Sequence, residues 1–402
     1  MESDKIRITN ACLVLKNEAV RGDLLIEEGR ISEIARGGFP GSSSGEEWSS
    51  IDANGMIVIP GLIDIHSDAI EKEIQPRPNT FFPVRFSLIE LEKKLAASGI
   101  TTMYHSISLS DDWGVRDRET VMKVIEEIRD LNRSRPMINH RVHLRYEISF
   151  LNGVDCLKEL IGGRLVDLVS YMDHTPGQGQ FSDPEMLKKF MMEHHGMKAD
   201  ETKLFMDRIS GKRKTVDFGK LYGLAELAAR EGISLATHDD DNEGKIDLLQ
   251  YLQGSISEFP INIETASYAA SKGLHVCVGA PNLIRGGSHS NNMKALDAIR
   301  AKAADIVCSD YLPSCMLPSA MLLTDYGLSL PEAIAMMTAN PAAATGIAGE
   351  RGSIEEGKAA DLVMFETDGK HPIVRMTMTA GHVVYRSGYI RNKTQEGREV
   401  LC

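Results

Sequence analysis

A chain of 402 residues, 42% hydrophobic and 25% charged, has ordinary globular proportions and room for one large barrel with a smaller appendage. Its formal net charge of −12 argues against general nucleic-acid binding but leaves open an anionic small molecule met by local cations. With no apolar run of membrane-span length, no secretion-signal pattern at the start, and six cysteines without a C-x-x-C pair, a cytoplasmic location is expected.

From Lys5 to Ile59 the chain predicts short β-strands at Ile6–Ile8, Leu13–Leu15, Leu24–Glu27, Ile31–Ile34 and Met56–Ile59. Glu28-Gly29-Arg30 has the composition of a tight turn, and the Gly- and Ser-rich stretch Gly37–Ser50 that of a surface loop. From Gly352 onward the same style resumes, with Asp361–Phe365 and Gly381–Tyr385. The two ends, 1–59 and 352–402, are expected to form one small β-sandwich domain beside a unit spanning 60–351.

Within that unit eight strand-like runs alternate with helical stretches: Leu62–His66, Thr101–His105, Val142–Glu147, Leu168–His174, Ser234–His238, Ile261–Thr265, His275–Gly279 and Asp305–Asp310. Eight β-α repeats predict an α/β fold, a closed (β/α)8 TIM-like barrel with its active site at the C-terminal strand ends. The stretch from Thr175 to Tyr222 exceeds one crossover helix and carries Gly211-Lys212-Arg213-Lys214. Ser329-Leu330-Pro331-Glu332 has capping-box spacing and should open a helix through Met337.

The ionisable residues fall where such a barrel needs them. Pro60-Gly61-Leu62-Ile63-Asp64-Ile65-His66-Ser67-Asp68 is an apolar run ending in a histidine and a carboxylate two positions apart. Residues i and i+2 of a strand share a face, so His66 and Asp68 can hold one divalent cation. Glu147, His174, His238 and Asp310 end further strands, and imidazole with carboxylate suits a pair of Zn or Mn ions. Glu147 could bridge the ions, and Asp310 could accept a proton from a bridging hydroxide. His143 or Asp173 could replace Glu147 or His174. His105 is expected to be structural or to support a ligand, and Glu264, as a sixth-strand carboxylate, either to take part in the site or to orient a neighbouring ligand. His289 follows the seventh strand on a glycine-bearing loop, as a substrate contact or as loop structure.

The Pro-Gly-Leu-Ile-Asp-x-His strand resembles the first barrel strand of the amidohydrolase superfamily. Thr338-Ala339-Asn340-Pro341-Ala342 is similar to its last-helix motif, and Gly352–Val363 to its return into the small β-domain. A narrower resemblance is to the PhnM family of phosphonate metabolism. It rests on Asp68 in place of a second histidine, Glu71-Lys72 with Pro76-Arg77-Pro78, and Met172–Gln178. His238-Asp239-Asp240, Gly279–Ser290 and Ser309–Ser314 extend it.

That resemblance implies release of pyrophosphate from α-D-ribose 1-methylphosphonate 5-triphosphate, with metal-generated hydroxide attacking the α-phosphorus. Positive charge must then meet the phosphate oxygens, and Lys72, Arg77 and Arg285 are the candidates. Two other readings stand beside it. One is hydrolysis of a C–N bond in a cyclic amide or aminated ring; the other is a non-catalytic scaffold subunit. The expected partner is a small phosphorylated substrate, with a homodimer as the expected assembly and neither nucleic acid nor membrane as partner.

Overall fold

The structure, a computed structural model, describes residues 5–39, 48–110, 114–179, 184–194, 198–288 and 292–388. His289 and most of the Gly37–Ser50 stretch lie outside the described residues.

Five strands open the chain: β1 (Lys5–Val14), β2 (Ala19–Glu27), β3 (Arg30–Arg36), β4 (Ser49–Asp52) and β5 (Ile57–Pro60). The two apolar runs expected as separate strands, Ile6–Ile8 and Leu13–Leu15, lie almost entirely within β1. A register slip between Ile8 and Ala11 lets β1 bend and continue. Glu28 and Gly29 take positive φ, 49° and 75°, and make the expected turn between β2 and β3.

Eight parallel strands follow: β6 (Leu62–Ser67), β7 (Ile100–Leu109), β8 (Asn139–Glu147), β9 (Leu168–Met172), β10 (Ser234–His238), β11 (Ile256–Glu258), β12 (His275–Gly279) and β13 (Ile306–Cys308). Each pairs with its neighbours in chain order, as right-handed β-α repeats require. The ring closes between β6 and β13 through a parallel bridge, Ser67 to Asp310. Asp310 N donates to His66 O at 3.0 Å, and Asp68 N donates to Asp310 O at 2.8 Å. The buried Asp64 carboxylate joins the seam by accepting from Ser309 N at 3.0 Å. The fold is therefore the expected barrel.

One strand was placed wrongly by pattern alone. Ile261–Thr265 is not the sixth strand; Asn262 caps a helix at Ile263–Ser271, accepting from Thr265 N. The sixth strand is Ile256-Ser257-Glu258, three residues whose polar serine and carboxylate hide it from a search for apolar runs. Glu264 accordingly sits exposed in the first turn of that helix.

After the barrel come β14 (Leu362–Asp368), β15 (His371–Thr379) and β16 (His382–Arg386). They join the opening strands in a sheet ordered β16-β15-β14-β5-β1-β2-β3, with β4 on the far side of β1's N-terminal half. Both chain ends thus build one sheet. The capping box at Ser329 and Glu332 is present, and its helix runs Leu330–Ala335, ending short of Met337. The long segment after β9 forms helices at Pro184–His194, Ala199–Arg213 and Phe218–Arg230.

Three apolar clusters hold these layers. Ile8, Leu13, Leu24, Val58, Leu362 and Met378 fill the terminal sheet's own core. A large cluster lies between barrel and helices, and a smaller one plugs the barrel floor with Ile63, Ile65, Tyr104, Leu168, Ile256 and Ile306. With the floor sealed, the polar residues near the C-terminal strand ends face one cavity. None of the described helices is long and apolar enough to cross a membrane.

Candidate metal centre and active site

The first strand does more than alternate. Asp64 pairs with Met103, yet Ser67 pairs with His105, so β6 carries one extra residue there. This bulge lets both Ile65, in the floor cluster, and His66 face the lumen. His66 Nδ1 then lies 3.0 Å from Glu258 Oε1 on β11, with His143 Nε2 3.7 Å from the same oxygen. These three buried side chains form one group able to hold a metal ion.

His174, His238 and Asp239 form a second such group. His238 belongs to both surroundings: its Nδ1 is 3.5 Å from Glu258 Oε2, and its Nε2 is 3.5 Å from Asp239 Oδ2. The His66 and His238 rings stack at 5.2 Å, and Phe259 meets both edge-on. Glu147 Oε2 lies 3.2 Å from His174 Nδ1 and accepts from the His174 backbone N–H at the same distance. Asp68 and Asp310 stand at the β6–β13 seam, where the charge of Asp68 raises the cost of ionising Asp310.

Several buried polar atoms here have no hydrogen-bond partner: His66 Nδ1, Asp68 Oδ1, His238 Nδ1, Asp239 Oδ2 and both oxygens of Glu258. Native proteins rarely strand so many acceptors together, and a cation supplies what they lack. Burial drives the His66 and His238 pKa values well below the ordinary range, and that of His143 to about 3. Neutral imidazoles with open lone pairs are what a cation needs. His143 is differently placed, since Ser106 Oγ and Ser170 Oγ sit 3.0 and 2.9 Å from its two nitrogens. The donor set fits divalent cations.

Backbone strain concentrates at the same rim. Asp239, Phe259 and Asp310 all take left-handed φ, 55°, 53° and 56°, immediately after or near the ends of β10, β11 and β13. Non-glycine residues hold that conformation at a cost, and here it turns successive strand ends toward one cavity. Desolvation, then the charge of Asp68, raises the Asp310 carboxyl to about 7. Burial likewise pushes Asp64 and Asp239 up to about 6.

The structure brings all six expected strand-end residues to one rim of the barrel and adds four: His143, left open as an alternative by the sequence, and Glu258, Asp239 and Arg145, which the pattern did not announce. Glu258 escaped because its strand was misplaced. Asp239 follows His238 directly, where strand alternation points it away; its positive φ brings it back. Arg145 lies between His143 and Glu147 on β8, all three on the same strand parity, and donates from Nη2 to His238 Nε2 at 3.0 Å. Asp173 instead binds Arg213 Nε at 2.8 Å, fastening the Ala199–Arg213 helix to the rim. His105 sits mid-strand, its Nε2 2.8 Å from His140 Nδ1, and belongs to neither of the groups able to hold a cation.

Of the expected cations, Lys72 lies closest to the cluster, its Nζ 4.3 Å from the Tyr311 ring and its charge acting on Asp68 and Asp310. Arg77 is exposed in the loop after the helix Ala69–Ile74, and Arg285 is exposed at the end of the helix Ala280–Arg285.

A closed barrel whose C-terminal rim carries two histidine–carboxylate groups able to hold a metal ion has the layout that metal-assisted hydrolysis uses. The chain belongs to the amidohydrolase family: that family's model matches residues 176–384. It is 32% identical over 373 residues to the α-D-ribose 1-methylphosphonate 5-triphosphate diphosphatase of Escherichia coli (strain K12), covering 90% of this chain and 96% of that one. An imidazolonepropionase of Thermoplasma volcanium is 21% identical over 86% of this chain and 84% of its own. The solved structure of N-isopropylammelide isopropylaminohydrolase from Burkholderia multivorans shares the fold, with a TM-score of 0.65, 17% identity, and 96% of this chain and 99% of that one covered.

Proposed function

We propose that this hydrolase releases pyrophosphate from α-D-ribose 1-methylphosphonate 5-triphosphate, leaving a 5-phosphate, as a step in phosphonate catabolism. The observation that carries the reading is the near full-length similarity to an enzyme of that activity. The site is compatible with it: a cation-binding rim beside a buried arginine suits a polyphosphate better than a neutral ring.

His66, Glu258, His238, His174 and Asp239, with Asp68, Glu147 and Asp310 beside them, would hold two divalent ions, Zn or Mn. Such ions supply Lewis acidity, lowering the pKa of a water and neutralising phosphoryl charge. Asp310 is the proton acceptor of the reading, because its carboxylate stands at the β6–β13 seam beside Asp68, where the attacking water would be held. Ser149 Oγ donates to Glu147 Oε1 at 3.1 Å and fixes that carboxylate's orientation.

The test is pyrophosphate release from a ribosyl 5-triphosphate by protein stripped with chelator and then restored with Zn or Mn. Activity should vanish on stripping and return on restoration; full activity in chelator ends the reading. The similarity to an imidazolonepropionase keeps C–N hydrolysis as a second reading. Turnover of a cyclic amide, with none of the triphosphate, would favour it.

A further inference from the structure

We propose that Arg145 is the anion-binding residue of this site, taking phosphoryl oxygens of a polyphosphate ester at the barrel axis. The inference deepens the proposed function and rests on it for the substrate class. Arg145 is only 7% exposed, yet it makes no ion pair with any described residue. Its Nε has no hydrogen-bond partner, and the bond recorded for its Nη2 goes to His238.

A guanidinium cannot shed its charge, so burying one without a carboxylate partner is costly unless a ligand completes it. Carboxylates are near but do not satisfy it. Asp68, Asp239 and Asp310 all feel its charge, and each belongs to the rim that would bind cations. Once cations engage those groups, the fork of Arg145 remains for an anion. A planar guanidinium matches two oxygens of one phosphoryl group, a contact that a neutral cyclic amide has no means to use. The residue therefore separates the two substrate classes in a way that exposed Arg77 and Arg285 do not.

The experiment measures inorganic pyrophosphate binding by calorimetry to Mn-restored wild type, R145Q and R145K, with metal content and melting recorded for each. R145Q should retain the wild-type metal complement and weaken pyrophosphate binding by about tenfold or more. R145K keeps the charge but loses the fork, and should recover only part of the loss. Given a ribosyl triphosphate, R145Q should raise KM in the same proportion. Binding within about twofold of wild type in R145Q overturns the proposal; should that variant not fold, the same result in R145K does so. Absence of pyrophosphate binding in wild type overturns it too. Wild type that binds pyrophosphate through Arg145 but does not cleave the triphosphate leaves the anion site standing and removes only the proposed reaction.

Discussion

Glu258 reaches across the barrel to place Oε1 3.0 Å from Nδ1 of His66, and neither atom takes part in a hydrogen bond. Both residues are buried to 1% exposure or less, so the contact is screened from water and built for something that binds both. Glu258→Gln keeps the shape and removes the charge. Metal affinity should fall about tenfold to a hundredfold, the range typical for removing a group that tunes a site. Elemental analysis after dialysis against graded chelator reads it. Full retention of metal by the variant would assign Glu258 a purely structural place.

The raised carboxyl of Asp310 makes a pH prediction for the metal-free protein. Unfolded, it titrates at its ordinary 3.8; folded, at about 7. Between those values the folded state holds the extra proton, so this group's contribution to stability falls as pH rises from about 4 to about 7. Buried neutral histidines such as His143 act with the opposite sign below their ordinary 6.5. The informative quantity is therefore the difference between wild type and Asp310→Asn, whose melting temperature in chelator should lack that fall. Cation loading near pH 6 should also release protons from wild type, measurable by calorimetry in buffers of different ionisation enthalpy. Equal proton release by both proteins would contradict the assignment.

The barrel was legible because its strands are apolar and regularly spaced, and six rim residues were legible because they end such runs. What escaped did so for local reasons. The three-residue strand holding Glu258 is too short and too polar for a periodicity search. Asp239 required a positive φ that no pattern announces, and the bulge beside His66 is a property of pairing rather than of composition. Arg145 was legible in principle, because it shares the alternation of His143 and Glu147, but nothing in that alternation tells a buried cation from an exposed one. Lys72, Arg77 and Arg285 stand beside strand-end or loop motifs, where exposure is set by packing that a sequence does not display.

Away from the cavity, His105, His140 and Glu92 form a buried chain between barrel and helix. His105 Nε2 lies 2.8 Å from His140 Nδ1, and His140 Nε2 lies 3.0 Å from Glu92 Oε1. Glu92 also accepts from the Met137 backbone N–H, tying the helix Val84–Ala97 to the approach of β8. Glu92→Ala strands two buried donors and should cost about 2–4 kcal/mol in urea unfolding. Metal content should not change. A variant that loses metal while keeping its stability would show this chain serving the site after all.

The rim cations can be ranked by where they stand. Lys72 lies in the helix Ala69–Ile74 that starts directly after Asp68, with Nζ 4.3 Å from the Tyr311 ring, next to Asp310. Its charge favours ionisation of both aspartates, so it belongs to the electrostatic surroundings of the proposed centre. Arg77 and Arg285 make no side-chain hydrogen bond or ion pair with described residues and stand exposed to water, where screening weakens them. With a ribosyl triphosphate, Lys72→Met should therefore lower kcat/KM by about tenfold, and Arg77→Ala and Arg285→Ala by no more than about threefold. Added salt should narrow the Lys72 effect, because an exposed ammonium acts through solvent. A larger loss for Arg285→Ala than for Lys72→Met would reverse the ranking and place the bound polyphosphate against the β12 loop instead of the β6–β13 seam.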